Sequence, residues 1–496
     1  MTVPVPAHPS VQALATLDRA TVERRPRPVR VLQYGAGGFL RAFVDWAIQR
    51  ANDAGVTDAG VAVVKATPRP DTVTAALRRQ DGLFHVLLDG VDDGVPVRET
   101  TLVDCVQQVV SAHDELERYR ALYLSPDLRV VVSNTTEAGL VWADDDLAAR
   151  PPASFPAKVA AMLHDRWRHH GGDPAAGLVL LPCELVEANG ATLRELVLRH
   201  AAAAGLDPAF AAWVEEACSF HDTLVDRIVP GVPAAERARV QAGLGFRDEA
   251  VVAGERYLRW AITDPGGRVA AALPLHRAVP GVELVDDVRP VRETKVRVLN
   301  GAHTALSAVG LPAGATTVDE ACADPLLGRY LRRLLADEVV PTVPGDRAAA
   351  QAFAAATLER FANPALHHRL ADIALHASAK WRARSLPVWA DRVRAGGDAP
   401  LTAFGLAALL TADGPAQHAG AVDGVVDGAV ADAVAGLVRD AGLGADLTER
   451  LAREVADAAG AIRAHGVRGA LAALLGDAGA APARGVGGAP PQAGRP

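Results

Sequence analysis

The stretch VRVLQYGAGGFLRAFVDWAIQRA, residues 29–51, decides the fold. Val29–Tyr34 is an apolar run with the length of a buried strand, and glycines follow it at positions 35, 37 and 38. After the glycines, Phe39 and Phe43 recur at helical spacing. A strand that passes through a glycine turn into a helix is typical of the first unit of a dinucleotide-binding fold.

The glycine turn has the features of a phosphate-binding loop. Gly35 permits the tight turn, Gly37 lets the backbone approach a pyrophosphate, and the helix start supplies N–H donors. Leu40 stands where the G-x-G-x-x-G motif has its third glycine, so an ordinary strand-to-helix turn remains an alternative. Arg41 would either contact a phosphate or be a solvated side chain. The candidate cofactor loop comprises Tyr34, Gly35, Ala36, Gly37, Gly38, Phe39, Leu40 and Arg41.

The end of the second apolar run bears on cofactor preference. In dinucleotide folds this position usually carries an acid that holds the adenosine ribose. The sequence VVKATPRPD has Lys65 and Arg69 there, either of which would accept a 2′-phosphate and favour NADP. Asp71 would reach the ribose only after a turn. The choice between NAD and NADP therefore stays open at this point.

Further apolar runs at residues 128–139 and 177–190 end in polar clusters and alternate with helical segments, as in a parallel sheet buried on both faces. From about residue 285 the pattern becomes almost entirely helical. We therefore predict an α/β chain with an N-terminal Rossmann-like, doubly wound sheet domain and a mostly α-helical C-terminal domain. The predicted divisions are an arm at 1–28, the two domains at 29–284 and 285–476, and a disordered tail at 477–496.

Bulk properties exclude several classes of protein. The 496 residues carry a formal net charge of −8, which argues against nucleic acid or an anionic membrane as the main partner. The four cysteines are scattered without a C-x-x-C pair, so a disulfide framework or structural zinc site is not expected. No signal pattern or membrane-length apolar run is evident, and we predict a cytoplasmic protein.

Lysine is rare in this chain, with four lysines among 51 basic residues. One of them, Lys295, precedes Asn300 by five residues and His303 by eight. On an α-helix, at about 100° per residue, the three side chains fall within an arc of about 140°. Apolar neighbours would partly bury that wall and lower the lysine pKa, so that its amine could exchange a proton with a carbonyl oxygen. Arginine stays protonated and cannot do this. The alternative is a surface lysine beside a capping asparagine and a packed histidine.

The spacing Lys295-x4-Asn300-x2-His303 resembles the signature of the polyol-specific long-chain dehydrogenases, the mannitol dehydrogenase family. The glycine stretch is similar to that family's G-x-G-x-F-x-R, which accounts for the missing third glycine. Further similar segments lie between about residue 31 and about residue 390, namely SNTTEAG, LPCELVEANG, LVDRIV, LNGAHTAL and ANPALHHRLADIAL.

The resemblance implies an NAD-linked oxidoreductase that works without a metal and interconverts a ketohexuronate and the matching hexonate. We expect D-tagaturonate and D-altronate as that pair, with fructuronate, mannitol or another polyol as alternatives within the family. The resemblance also implies a small-molecule sugar-acid partner, a site between the two domains and a monomer. A non-catalytic nucleotide-binding sensor is a remote alternative, because a sensor would be expected to lose Lys295 or Asn300.

The resemblance also assigns roles to individual residues. By carry-over, Lys295 is the general acid/base, while Asn300 and His303 bind and polarise the reacting oxygen. The candidate cofactor loop holds the cofactor diphosphate. Asn134 and Thr135 follow a predicted sheet strand, where doubly wound sheets bind ligands, and are expected near the cofactor.

The chain departs from the mannitol enzymes in ways that favour an acidic sugar. Those enzymes carry Asp-Asn where this chain has Glu184 and Leu185. A uronate carboxylate requires a cation, and arginine offers a bidentate contact. Lys380 is the first candidate, since it matches a family substrate contact, and Arg384 is the second.

Other substrate candidates are weaker. Asp226 would either contact substrate or pair with Arg227 at the domain junction. The remaining basic alternatives near Lys380 are Arg382, His367 and His368.

Overall fold

The computed structural model describes residues 14–92, 95–364, 368–411, 427–439 and 441–476. The chain divides into two compact units, the first ending at Val291 and the second beginning at Arg292. The tail predicted to be disordered, 477–496, and residues 1–13 of the predicted arm lie outside the described residues.

The main sheet of the first unit is entirely parallel. Its strands are β1 (Val29–Tyr34), β2 (Gly60–Lys65), β5 (Val106–Ser111), β6 (Val130–Ser133), β7 (Val179–Pro182) and β8 (Ser219–Phe220). They lie in the order β5-β2-β1-β6-β7-β8. This is the 3-2-1-4-5-6 order of a doubly wound sheet, whose direction of winding reverses between β1 and β6. Ligands bind beyond the carboxyl ends of the strands at that reversal.

The first strand shows why the sheet is buried on both faces. Val31 belongs to one apolar cluster, which also contains Phe43, while Leu32 and Tyr34 belong to the cluster on the other face. Because successive side chains point to opposite faces, a strand covered on both sides must be apolar at nearly every position. Each fully buried aliphatic side chain of this kind contributes about 1.5–3 kcal/mol.

Helices cover the two faces of the main sheet. The run after β1 consists of α1 (Gly38–Leu40), a π turn (Arg41–Asp45) and α2 (Trp46–Asp53), and it packs on one face together with α3 (Thr72–Arg79). Helices that pack on the other face are α4 (Leu116–Leu124), α5 (Phe155–His169), α6 (Asn189–Ala203) and α7 (Pro208–Ala217). The unit also contains α8 (Arg237–Leu244) and α9 (Arg268–Ala272).

Two smaller sheets complete the first unit. Their strands are β3 (Phe84–Asp92), β4 (Val95–Val103), β9 (Thr223–Asp226), β10 (Val252–Glu255), β11 (Arg259–Thr263) and β12 (Val282–Val285). The first small sheet has the order β10-β3-β4, and the second has the order β12-β11-β9. The β3–β4 hairpin is an excursion between two strands of the main sheet.

The regular elements described in the second unit are helices. Helix α10 (Arg289–Lys295) begins three residues before the boundary, and a π turn (Val296–Asn300) and α11 (Gly301–Gly310) follow it directly. Later elements are α12 (Val318–Ala323), α13 (Pro325–Arg333), a π turn (Leu334–Val339), α14 (Arg347–Phe361), α15 (Leu370–Ile373), α16 (Ala377–Arg384), α17 (Leu386–Arg394), α18 (Pro400–Thr411), α19 (Asp427–Val438) and α20 (Ala445–Leu474). The predicted fold class, a doubly wound sheet followed by a helical region, is confirmed.

Two helices form the centre of the second unit. Every residue of α11 is buried, and so are Leu401–Leu409 of α18. A helix without a polar face must be surrounded by other elements, which fixes its position. The candidate residues Asn300 and His303 lie at the start of α11 and are therefore attached to the most constrained part of the unit. Across the residues described, no helix has both the length and the apolarity needed to cross a membrane.

Candidate functional site

The glycine loop has the backbone geometry that the sequence predicts. Gly35 has φ of +119°, a conformation that glycine adopts without strain, and its N–H donates to the Val64 carbonyl oxygen at 3.1 Å. A Cβ on Gly35 would lie 3.3 Å from Leu40 Cδ1. Leu40 thus packs beneath the turn, at the position where the standard motif has its third glycine.

Gly37 marks the open side of the loop. It is exposed, has φ of −58°, and a Cβ built on it would meet nothing within 4 Å. The helical run begins one residue later, so its first backbone N–H groups and its positive dipole end lie beside this open space. The loop fits a diphosphate group, because a ligand can approach the backbone there.

Arg41 braces the loop from the buried side. Its side chain is only 5% exposed, and Nε donates to the Ala36 carbonyl oxygen at 3.0 Å. Nη1 donates to the Ala250 carbonyl oxygen, and the guanidinium lies 5.5 Å from the Phe84 ring centroid. Burial excludes the solvated alternative for Arg41. The guanidinium ties the loop to the segment before β10, which makes it a support for the loop backbone.

Two other candidate loop residues have buried or stacked side chains. Tyr34 is fully buried, and its hydroxyl is hydrogen-bonded with that of Tyr119 in the core. Its side chain is therefore directed into the core, and only its backbone belongs to the loop. Phe39 stacks on Phe43 with the ring centroids 4.8 Å apart.

The residues after β6 form a network with Glu184. Glu184 is 2% exposed and accepts hydrogen bonds from Ser133 Oγ at 3.1 Å, Thr135 N at 2.8 Å and Thr135 Oγ1 at 2.9 Å. Asn134 Nδ2 donates to the Cys183 carbonyl oxygen at 3.0 Å. Asn134 and Thr135 are thus fixed beside the glycine loop, since a Cβ on Gly35 would lie 3.8 Å from the Asn134 carbonyl oxygen.

Sequence reasoning noted Glu184 only as a departure from the mannitol enzymes, and it missed this anchoring role. A carboxylate directly after a buried strand and level with a polar cluster on the neighbouring strand was the signal available. The adjacent Leu185 is 65% exposed, so it takes no part in the network.

Residues near Asp226 hold the smaller sheet to the rest of the first unit. Asp226 is 4% exposed at the end of β9. Arg227 donates from Nε to the Tyr257 carbonyl oxygen at 2.9 Å and from Nη1 to the Ala42 carbonyl oxygen at 2.5 Å. Its guanidinium lies 4.3 Å from the Trp46 ring centroid, and burial lowers its pKa to about 9. These contacts give Arg227 a structural role.

The segment with Lys295, Asn300 and His303 differs from the expected α-helix. A π turn at Val296–Asn300 separates Lys295 from α11, and the Gly301 N–H donates to the Val296 carbonyl oxygen five residues earlier. In such a turn residues five apart take the alignment that residues four apart have in an α-helix. The π turn therefore makes the angle between Asn300 and half-buried Lys295, measured around the helix axis, smaller than the predicted arc of about 140°.

His303 lies in a buried and positively charged environment. Its side chain is stacked on Phe361 at 4.1 Å and meets His368 edge-on at 4.8 Å between ring centroids. Burial lowers its pKa well below the usual value, and the charges of His368, Arg360, Arg384 and Lys380 lower it further. The ring is therefore neutral, and its buried Nε2 has no hydrogen-bond partner among the described residues.

Lys380 and Arg384 lie one turn apart on α16. Lys380 Nζ donates to the Ile373 carbonyl oxygen at 2.8 Å. Arg384 Nη1 donates to the Asn300 carbonyl oxygen at 3.3 Å and to Thr304 Oγ1 at 3.0 Å. The structure therefore places Arg384 against Asn300, and the charges of Arg384 and Lys380 both act on His303. Of the weaker alternatives, Arg382 is exposed, and His367 lies outside the described residues.

Lys380 and Arg384 form a pair of half-buried cations. Burial lowers the pKa values of Lys380 and Arg384, and the charge of Arg384 lowers that of Lys380 further. Within the part of the chain that the structure describes, no acidic side chain contributes to the pKa shift of Lys380, Arg384 or His303. Cations withdrawn from water are usually paired, so Lys380 and Arg384 have the electrostatics of a site for an anionic group.

Sequence reasoning missed two residues of this cluster. Arg360 is 6% exposed near the end of α14, and it precedes Phe361, which stacks on His303. Thr304 is 1% exposed and lies between Asn300 and Arg384. Arg360 stands in no recognisable motif, and α14 comes far later in the chain than α11. Thr304 lies within LNGAHTAL, but its contact with Arg384 depends on the packing of α16 against α11.

The chain matches two family profiles. One, described as Mannitol dehydrogenase Rossmann domain, covers residues 29–274, and the other, described as Mannitol dehydrogenase C-terminal domain, covers residues 287–446. Among curated proteins the chain is 40% identical, over 400 residues, to the altronate oxidoreductase of Pectobacterium carotovorum subsp. carotovorum (strain PC1). That alignment spans 80% of this chain and 81% of that protein. The altronate oxidoreductase of Bacillus subtilis (strain 168) is 39% identical over 385 residues, which are 77% of this chain and 79% of that protein.

Solved structures share the fold. A D-sorbitol dehydrogenase in its substrate-free form superposes with a TM-score of 0.77 at 23% identity, covering 92% of this chain and all of that one. The Pseudomonas fluorescens mannitol 2-dehydrogenase, solved with NAD and D-mannitol, gives a TM-score of 0.66 at 23% identity. It covers 90% of this chain and 94% of that one. Both likenesses concern the whole architecture, from the doubly wound sheet to the helical unit.

Proposed function

This chain belongs to the mannitol dehydrogenase family, and on that premise we propose that it interconverts D-tagaturonate and D-altronate. It is an NAD-dependent oxidoreductase that acts on CH–OH groups. The identity of about 40% with altronate oxidoreductases, over about four-fifths of this chain and of each relative, supports this substrate pair over the others used in the family. The observation that supports an acidic rather than a neutral sugar is the pair of cations Lys380 and Arg384 near His303, on whose pKa values no acidic side chain acts among the described residues.

The first unit provides the cofactor residues. The open space at Gly37 and the N–H groups at the start of the helical run would receive the cofactor diphosphate. Asn134 and Thr135, fixed by Glu184 and the Cys183 carbonyl oxygen, would line the adjacent edge. When bound, NADH supplies the hydride for the substrate ketone. Arg41 keeps the loop backbone in position from behind.

The second unit provides the substrate and proton chemistry. Lys295 donates a proton to the ketone oxygen as the alcohol forms, and it recovers the proton in the reverse direction. The Asn300 amide makes no hydrogen bond within the described part of the chain, so it is available to donate to the same oxygen. The neutral His303 ring offers Nε2 as a further hydrogen-bonding group. Lys380 and Arg384 bind the substrate carboxylate.

A substrate panel tests the proposal. NADH oxidation is measured with D-tagaturonate, D-fructuronate and D-fructose, and without sugar. We expect the highest kcat/KM with tagaturonate, a lower value with fructuronate and little turnover of fructose, because a neutral sugar leaves the cations unpaired. Fructuronate as the best substrate would reassign the enzyme within the acidic branch, and fructose as the best would refute the acidic-sugar assignment. NADH binding without oxidation of any sugar would support a sensor instead.

A further inference from the structure

The side chain of Arg384 is held by one of its nitrogens only. Nη1 donates to the Asn300 carbonyl oxygen at 3.3 Å and to Thr304 Oγ1 at 3.0 Å, which accounts for both of its hydrogens. Within the part of the chain that the structure describes, Nε and Nη2 have no hydrogen-bond partner. The guanidinium therefore presents its Nε–Nη2 edge unpaired, and that edge has the fork geometry that matches a carboxylate.

Thr304 determines how that edge is oriented. Its hydroxyl donates its single hydrogen to the Asn300 carbonyl oxygen at 2.9 Å, which is the usual bond of a helical threonine to the residue four before it. The hydroxyl oxygen is then left as an acceptor, and Arg384 Nη1 uses it. With the hydroxyl removed, Nη1 would keep only the 3.3 Å contact with the Asn300 carbonyl oxygen, and the guanidinium would be free to rotate.

We propose that Thr304 is a positioning residue that sets the Arg384 fork for the substrate carboxylate and thereby determines the preference for an acidic sugar. This inference rests on the proposed function and adds to it a residue that makes no contact with substrate. Thr304 and Arg384 both donate a hydrogen bond to the Asn300 carbonyl oxygen. Arg384, which would bind the carboxylate, is therefore linked to Asn300, which would bind the reacting oxygen. A misplaced carboxylate would therefore weaken binding of the acidic sugar specifically.

The test is a substitution series read with a charged and a neutral substrate. Thr304→Val removes the hydroxyl at constant shape, Thr304→Ser keeps it, and Ser307→Ala removes a hydroxyl from the same helix. Ser307 Oγ bonds to the Thr304 carbonyl oxygen at 3.0 Å and has no contact with Arg384, which makes it the matched control. The substrates are D-tagaturonate and D-tagatose, in which CH2OH replaces the carboxylate.

For Thr304→Val we expect the KM for tagaturonate to rise about tenfold, as for loss of one hydrogen bond to a charged group. The kcat/KM for tagatose should stay within about twofold, and Thr304→Ser and Ser307→Ala should resemble the wild type in both. Where tagatose turnover is too slow to measure, the inhibition constants of altronate and of its alditol provide the same comparison. Arg384→Lys keeps the charge without the fork and should reproduce the loss even if Thr304→Val does not fold.

The outcomes separate the inference from the proposed function. Equal losses with both substrates would show that Thr304 only maintains the fold, and an unchanged KM for tagaturonate would show that it positions nothing. Either result would overturn the inference while leaving the proposed function intact. A wild-type protein inactive on every hexuronate would overturn the proposed function and the inference with it.

Discussion

The two candidate binding regions of this protein are built in opposite ways. Around the glycine loop, polar side chains are occupied by the protein itself: Arg41 bonds to backbone carbonyls, and Glu184 accepts three hydrogen bonds. Around α11, polar groups are left without such partners within the described residues, including His303 Nε2 and the Nε–Nη2 edge of Arg384. The first region offers a ligand its backbone, and the second offers its side chains.

The difference follows from what each proposed ligand requires. A diphosphate is recognised by backbone N–H groups at a helix start, so side chains there serve to hold the backbone still. A sugar acid that must react requires a proton donor, oxygen-binding groups and a cation, which only side chains provide. Buried side chains left unpaired for this purpose cost free energy in the absence of substrate. The comparison therefore predicts that substitutions near α11 impair catalysis, whereas substitutions near the loop affect cofactor binding or stability.

The largest expected effect comes from Lys295. Lys295→Ala removes the proton donor, and we expect kcat to fall by on the order of 10² or more while NADH affinity stays nearly unchanged. Lys295→Arg keeps the charge but cannot release a proton, so it should be similarly impaired. Steady-state kinetics and NADH titration measure both quantities. Arg382→Ala, which removes an exposed cation, is the control, and near-normal turnover in Lys295→Ala would remove this residue from the mechanism.

Asp45 is an exception to the satisfied polar groups of the loop region. It is fully buried beneath the loop, Gln33 Nε2 donates to its Oδ2 at 3.3 Å, and its Oδ1 has no partner among the described residues. Burial raises its pKa from 3.8 to about 7, with Gln33 and Arg41 opposing the shift. The folded protein therefore retains a proton that the unfolded chain has lost, so the stability contributed by this group is lost as the pH rises from about 4 to about 7.

Asp45→Asn keeps the shape of the side chain without titrating. Relative to the wild type, we expect the variant to be more stable at pH 8 than at pH 5. The difference in free energy of unfolding between variant and wild type should increase by roughly 2–3 kcal/mol from pH 5 to pH 8. Denaturant unfolding at the two pH values measures this difference. Asp53→Asn, at the end of the same helical run and exposed, is the control. A difference that does not change between the two pH values would show that Asp45 is ionised throughout.

Gly37 tests whether the loop binds through its backbone. Because a Cβ there would meet nothing within 4 Å, Gly37→Ala should leave thermal stability unchanged. The methyl group would occupy the approach of the diphosphate, so the KM for NADH should rise by about tenfold. Gly266→Ala, at another exposed glycine that lies outside the helices and whose Cβ would also meet nothing, is the matched control and should change neither property. An unchanged KM in Gly37→Ala would place the cofactor elsewhere.

The smallest expected effect is a pH dependence at Lys380. Burial and the neighbouring Arg384 lower the pKa of Lys380 from its usual value of 10.5, so the ammonium is lost at a lower pH than that of an ordinary lysine. The KM for tagaturonate should therefore rise a few-fold toward alkaline pH. In Lys380→Arg the charge persists, and the KM should stay constant over the same range. Parallel pH profiles in the two proteins would exclude Lys380 from carboxylate binding.

Prediction from the sequence succeeded where the information was local. The glycine loop, the strand pattern and the helical second unit each depend on residues close together in the chain, and the structure has them. The predicted arc of Lys295, Asn300 and His303 was less accurate, because the hydrophobic periodicity of a sequence does not reveal a π turn. The sequence also left two roles open for Arg41, a phosphate contact or a solvated side chain. The structure shows the side chain buried against the loop backbone.

The sequence by itself determined the fold class, the glycine loop and the Lys-Asn-His spacing, because hydrophobic periodicity and turn chemistry act over a few residues. Only the tertiary structure brought Lys380 and Arg384 of α16 and Arg360 of α14 to the start of α11, some sixty to eighty positions earlier. Their shared positive charge comes from helix packing and burial, which depend on which faces meet. The difference between an ordinary row of surface cations and the proposed site for a sugar acid therefore depends on the packing of the second unit.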